Sequence, residues 1–221
     1  MKKLICVFAA VVMLAVIPFT GCGNDHSDEI KATVDGFMTS MQKADLDGMK
    51  EYADPALFED DGMLSQFNEL EEMDEELASS LGMSTSDLSD KTKTIIDKYV
   101  KDMMGKMIKS YEIGEITEEK DSAKVNLSVT FGFDPNKVDS VDVTDEVEKR
   151  TNDYMEDNMT KLTQVYQSGG QTALMNKVLD DLAEELLQTY EDAVLKTGET
   201  TEDTVLTVEN RDGKWVIVSE E

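Results

Sequence analysis

The chain has 221 residues, 48 of them acidic against 21 basic, with one histidine and two cysteines. A surface this acidic repels nucleic acid, whose binding depends on cationic contacts to phosphate. It also repels anionic headgroups, so a folded domain stands off a bilayer surface. Cationic ligands, basic proteins and divalent ions remain open as partners.

The N-terminus reads as an export signal. Lys2 and Lys3 precede an apolar run over residues 4–19, broken only by Pro18 and followed by Thr20, Gly21 and Cys22. The run falls short of the roughly 20 residues a membrane-spanning helix needs. A charged start, a short apolar stretch and a small-residue cleavage site define a signal peptide over residues 1–21. The stretch Phe19-Thr20-Gly21-Cys22 resembles a lipobox, with Phe where Leu is usual. That resemblance implies cleavage after Gly21 and a diacylglyceryl group on the Cys22 thiol. The protein would then sit on the extracytoplasmic face of the cell membrane, since two acyl chains hold stably where one holds marginally. Cys6 leaves with the signal and Cys22 becomes a thioether, so the folded region has neither a free thiol nor a disulfide.

Residues 22–28 form a polar tether, and residues 29–221 suffice for a single α+β domain. Ile30, Val34, Phe37, Met38 and Met41 recur at helical spacing, and Met49 and Tyr52 mark a shorter helix closed by Asp54-Pro55. A very acidic segment carries Leu64, Phe67, Leu70, Met73, Leu77 and Leu81 at similar steps. A third helix starts after the serine-rich stretch 84–89 and runs through Ile96, Val100, Met103 and Met107. The period then changes. Tyr111, Ile113 and an offset Ile116 predict a strand, with a turn over 118–122. Ala123, Val125, Leu127, Val129, Phe131 and Phe133 alternate with polar residues, predicting a strand with one buried face.

Two long helices follow. Val147, Tyr154, Met155, Met159, Leu162 and Tyr166 line the first, and Leu174, Val178, Leu182, Leu186 and Tyr190 line the second. Gly169-Gly170 breaks them into a helical hairpin. Strands over 204–209 and 214–219 close the chain through Asp212-Gly213, a strong hairpin signal. The expected fold is N-terminal helices packed on a bent four-stranded antiparallel sheet, with residues 137–198 as a helical insertion between strands 2 and 3.

Two stretches carry a family likeness: Val34-Asp35-Gly36-Phe37-Met38 through Lys43-Ala44-Asp45-Leu46-Asp47 to Tyr52-Ala53-Asp54-Pro55, and Asp212-Gly213-Lys214-Trp215-Val216-Ile217. Together they resemble bacterial lipoproteins with a nuclear-transport-factor-2-like (cystatin-like) domain. The resemblance covers about half of the mature chain. It implies helices packed into the concave side of a bent sheet, often around a conical pocket.

The residue inventory narrows the chemistry. His26 lies in the tether, so no Ser-His or Cys-His pair can form inside the domain, and structural zinc lacks ligands. No catalytic residue is assigned, although Tyr99 or Tyr111 could serve carboxylate- or tyrosine-based chemistry in a cone. Asp134, Asn136, Asp139, Asp142 and Asp145 cluster, as do Glu59, Asp60 and Asp61. Val138 and Asp139 nevertheless break the calcium-loop pattern, so no metal site is expected. The methionines complete apolar stripes, which favours packing over copper. No cofactor is expected.

The reading is a lipid-anchored, non-catalytic ligand-binding module, with Phe37, Met41, Val125, Leu127 and Phe131 around a small apolar or cationic ligand. The alternative is an interaction or scaffolding lipoprotein that uses the helical hairpin and the acidic segment 59–81 to contact another envelope protein. Anchoring through Cys22 predicts that Cys22→Ala moves the protein from the membrane fraction to the soluble or secreted one. Retention of the variant in washed membranes would contradict the anchor.

Overall fold

The computed structural model describes residues 26–59, 64, 73–80 and 82–220. The signal peptide, Gly21 and Cys22 therefore lie outside the described residues, as do Asp60, Asp61, Phe67, Leu70 and Leu81. The protein is α+β, with a four-stranded antiparallel sheet in the order β1-β2-β3-β4. Its described residues divide into two compact units: 26–59, 64, 104–139 and 198–220 belong to the first, and 73–80, 82–103 and 140–197 to the second.

The first unit begins with α1, Ser27–Gln42, which buries Ile30, Val34, Phe37, Met38 and Met41 along one face. Asp28 and Glu29 in its first turn complement the positive end of the helix. The helix starts two residues inside the stretch expected to be tether. The second helix, α2, Leu46–Tyr52, is capped by Asp45, whose carboxylate accepts the Gly48 N–H at 2.9 Å. A 3-10 turn, Pro55–Phe58, follows, started by Asp54 accepting the Ala56 N–H at 2.8 Å. Gly36 lies directly under the Tyr52 ring, where a Cβ would overlap it, so α1 and α2 approach closely.

The strands are β1, Ile108–Glu119; β2, Ser122–Phe131; β3, Thr200–Arg211; and β4, Lys214–Glu220. Along β2 the alternation is realised as expected, with Ala123, Val125, Leu127, Val129 and Phe131 all buried. Across it, Val125 pairs with Leu206 and Ala123 with Val208, and Val208 pairs in turn with Ile217. The offset at Ile116 is explained by a register shift between Ile113 and Ile116, which re-phases the edge strand β1 against β2. The β3–β4 turn uses Asp212 and Gly213, both at positive φ, as a type I′ hairpin requires. The first helix packs on β1 and β4, the two edge strands, and so crosses the face of the sheet between them. Full burial of each large apolar side chain at this layer stabilises the unit by about 1.5–3 kcal/mol.

The second unit contains α3, Met73–Ser80; most of α4, Asp90–Met107, whose last residues belong to the first unit; and α5, Thr144–Leu195. The expected acidic helix is thus present at its C-terminal part. Gly170 sits at φ 71°, ψ −159°, a region essentially reserved for glycine, and divides α5 into two arms. Polar clips tie the second arm to the start of α4. Asp180 accepts from Thr92 Oγ1 at 2.9 Å and from Ser89 Oγ, while Asn176 accepts the Ser89 N–H at 3.1 Å and donates to the Asp87 carbonyl at 2.6 Å.

A second close approach fixes the helix–strand junction of the first unit. A Cβ on Gly132 would overlap the Lys106 carbonyl oxygen, whereas one on Gly105 meets only the Gln42 carbonyl at 3.6 Å. Gly132→Ala should therefore destabilise by about 1–3 kcal/mol through overpacking. Gly105→Ala should instead stabilise by roughly 0.5–1 kcal/mol through helix propensity. Denaturant midpoints of the two variants check the opposite signs.

Candidate functional site

The two arms of α5 enclose an open groove of about 770 Å³ lined by Asp145, Glu146, Lys149, Arg150, Asp153, Tyr154, Leu182 and Glu185. Its floor is apolar at Leu182 and its walls carry four carboxylates against two cations. Arg150 organises the walls: one guanidinium nitrogen donates to Glu146 at 2.7 Å, one turn earlier, and another donates to Glu185 on the opposite arm. Planar donors of this kind bridge two carboxylates where a lysine holds one. At the groove's end, Tyr154 donates to Asp181 at 2.6 Å, and Lys177 pairs with the same carboxylate at 2.5 Å.

The electrostatics follow from these contacts. Burial and the hydrogen bond to Asp181 push the Tyr154 hydroxyl up to about 12. Asp181 is held below the usual carboxylate range by Lys177 and Tyr154. These groups are set as a closed network of donors and acceptors, with the phenol proton held firmly. The net negative lining favours a basic or cationic partner over an anion.

On the first arm, Met155, Met159 and Tyr166 are the large apolar residues exposed among those described, at 37%, 63% and 55%. Their i, i+4, i+11 spacing puts them on one helical stripe beside the buried Leu162. The row expected to pack inward is therefore split. Leu162 is buried, Val147 and Tyr154 are partly covered, and the other three face solvent. A broad amphipathic face read from spacing alone does not tell its centre from its margin, which is where these three lie.

The five residues expected to line a ligand pocket lie together in the first unit. Phe37 and Met41 sit on α1, and Val125, Leu127 and Phe131 on β2, each no more than 3% exposed. None of them lines the hairpin groove or the narrow cleft beside Tyr99. Tyr99 lines that cleft with Glu191 in the second unit, and burial first, then the charges of Tyr190 and Glu191, hold its proton well above the ordinary range. Tyr111, on β1, donates to Asp35 at 2.7 Å and shares a contact with Thr39 at 3.2 Å; its hydroxyl is likewise raised by burial. A tyrosine tuned upward gives up its proton reluctantly, the opposite of what a general base needs.

Asp134 pairs with Lys137 at 2.7 Å and accepts the Asn136 N–H at 3.1 Å, and Asp142 accepts the Thr144 N–H at 2.9 Å ahead of α5. Among the described residues no three His, Cys, Asp or Glu side chains converge as metal ligands. None of the described helices is long and apolar enough to cross a membrane. His26, expected in a free tether, is half-buried. Its backbone N–H reaches Glu118 at 3.3 Å and its ring lies 5.8 Å from that of Trp215. Of the groove, sequence could show the Glu146–Arg150, Lys149–Asp153 and Lys177–Asp181 pairs, all at four-residue spacing. The cross-arm contacts Arg150–Glu185 and Tyr154–Asp181 have no local signal.

No family model matches the chain, and no curated protein matches it. Among solved structures, it is similar to a protein of Bacillus subtilis subsp. subtilis str. 168 proposed to be a lipoprotein (ycdA), at 16% identity and a TM-score of 0.42. The likeness covers 86% of this chain and 51% of that one, so the chain spans about half the length of that structure. A similarity this slight carries neither fold nor function across.

The Tyr154 network has a pH signature. The folded hydroxyl titrates at about 12 against an ordinary value of 10.0, so its contribution is fully present below pH 10 and lost as pH rises through 12. Ultraviolet titration should show one phenolate transition near pH 12 that disappears in Tyr154→Phe. The stability advantage of the wild type over Tyr154→Phe should shrink across the same window. A Tyr154 transition at pH 10 would show that the network does not hold the proton.

Proposed function

We propose that the mature protein is a lipoprotein anchored through Cys22 at the extracytoplasmic face of the membrane, and that the helical hairpin binds another envelope protein. The solvent-facing row of Met155, Met159 and Tyr166 carries this reading. Flexible thioethers and an amphipathic phenol suit an adaptable protein contact. Over eleven residues the row extends about 16 Å along the arm. The neighbouring groove, with more carboxylates than cations, adds a charge criterion: the partner surface is apolar with basic residues at its margin.

The anchor is supported by the tripartite signal and by the position of Cys22 directly after Gly21. The N-terminal helix pair on a four-stranded sheet is compatible with the nuclear-transport-factor-2-like resemblance. A small ligand in the first unit would need space among five side chains that are all nearly inaccessible, so the interaction reading has the stronger support.

A photo-crosslinking amino acid at position 159 tests the interaction in cells. It should give a discrete adduct that is lost in the Met155→Lys, Tyr166→Lys background. A probe at the exposed Thr94 should not give that adduct. Both lysine substitutions lie on the surface and should leave stability within about 0.5 kcal/mol. Identical adducts from both positions, or none from position 159, would remove the hairpin as the contact surface.

A further inference from the structure

The sheet register gives the first unit two distinguishable ends. Ile108, Phe131 and Thr200 are aligned at one end, and Glu119, Ser122 and Glu209 at the other. The last residues of α4 run directly into β1 at the Ile108–Phe131–Thr200 end. The β1–β2 turn at Lys120 and Asp121 and the β3–β4 turn at Asp212 and Gly213 lie at the other end. The start of α1 is fastened at this turn end. Ser27 Oγ donates to Glu118 at 2.9 Å, the His26 N–H reaches the same carboxylate at 3.3 Å, and the His26 ring rests near buried Trp215.

We propose that this turn end is the membrane-facing surface of the protein, with the Glu118–Ser27–His26 clamp fixing the point at which the lipid tether leaves the fold. The proposal rests on the reading of Cys22 as the lipid anchor. From Cys22 to His26 is four residue steps, a reach of about 14 Å at full extension. The ten residues of β2 extend about 30 Å. The clamped end is therefore held close to the headgroups, and the far end approaches them only if the sheet lies flat. Charge opposes that posture. Removing Lys2 and Lys3 with the signal leaves 19 basic against 48 acidic side chains, a net charge near −29. An anionic bilayer repels broad contact with such a surface. At the clamped end Lys120 is paired with Asp121 and Arg211 with Glu209 and Asp54, so the approach of this end to the headgroups rests on the short tether and not on a basic patch.

The absence of a free thiol in the lipidated chain makes single-cysteine labelling direct. A fluorophore is placed at Lys120→Cys, at the clamped end, or at Ser110→Cys, which is exposed and aligned with Thr130 near the far end. The full lipidated proteins are reconstituted in phosphatidylcholine–phosphatidylglycerol vesicles containing a headgroup-nitroxide lipid. Quenching at position 120 should exceed that at position 110 several-fold. Glu118→Ala should narrow that ratio while the protein still floats with the vesicles. Equal quenching, or stronger quenching at position 110, in protein that floats would overturn the orientation and leave the anchor intact. Failure to float would overturn the anchor reading, and the orientation with it.

Discussion

Strand β2 is hydrogen-bonded to β1 on one edge and to β3 on the other, and every second side chain along it is buried. Its register has no slack. A slip of one residue would turn Val125, Leu127, Val129 and Phe131 to the opposite face and bring Lys124 and Asn126 to theirs. The rest of the first unit is arranged about this strand. The Ile108–Phe131–Thr200 alignment sets one end of the sheet, and the Ser122–Glu209 alignment sets where the turns and the α1 clamp lie. Gly132 follows Phe131 immediately, and its missing side chain lets β2 end against the Lys106 carbonyl.

The second unit is held differently. Beside an apolar core that includes Leu88, Ile96, Val100, Leu162, Leu182 and Val194, it carries polar contacts across the hairpin and onto α4. Arg150 between Glu146 and Glu185, and Asp180 beneath Ser89 and Thr92, are the clearest. Exposed ion pairs contribute little to stability singly. Partly buried hydrogen bonds from hydroxyls to a carboxylate contribute more and fix geometry. A helical hairpin of this construction can present apolar side chains at its margin because its shape does not depend on burying them. That separation between the sheet-centred core and the solvent-facing Met155, Met159 and Tyr166 is the physical basis of the interaction reading.

Much of the fold was legible in the sequence because its signals are local and periodic. The alternation from Ala123 to Phe131, the Asp212-Gly213 turn, the Gly169-Gly170 break and the three-and-four spacing of α1 each report a backbone state directly. The structure also explains the misfit of Ile116, since the register shift after Ile113 re-phases β1. Less legible were features set by distant partners. His26 is held by Glu118, 92 positions away, so a polar N-terminal run read as free tether. The Met155 stripe has the spacing of a core face, and only the second arm of α5 decides which part of it is covered. The candidate site suffered most: apolar alternation marks residues that are buried, and burial by itself does not distinguish a pocket wall from packing.

Intact-mass and N-terminal fragmentation spectrometry of the protein extracted in detergent from its native membrane tests the central claim most directly. The account predicts a mature chain that begins at Cys22 and carries the added mass of a diacylglyceryl group on that residue. A chain beginning elsewhere, or an unmodified Cys22, would contradict the anchor and the membrane-facing end assigned to the sheet.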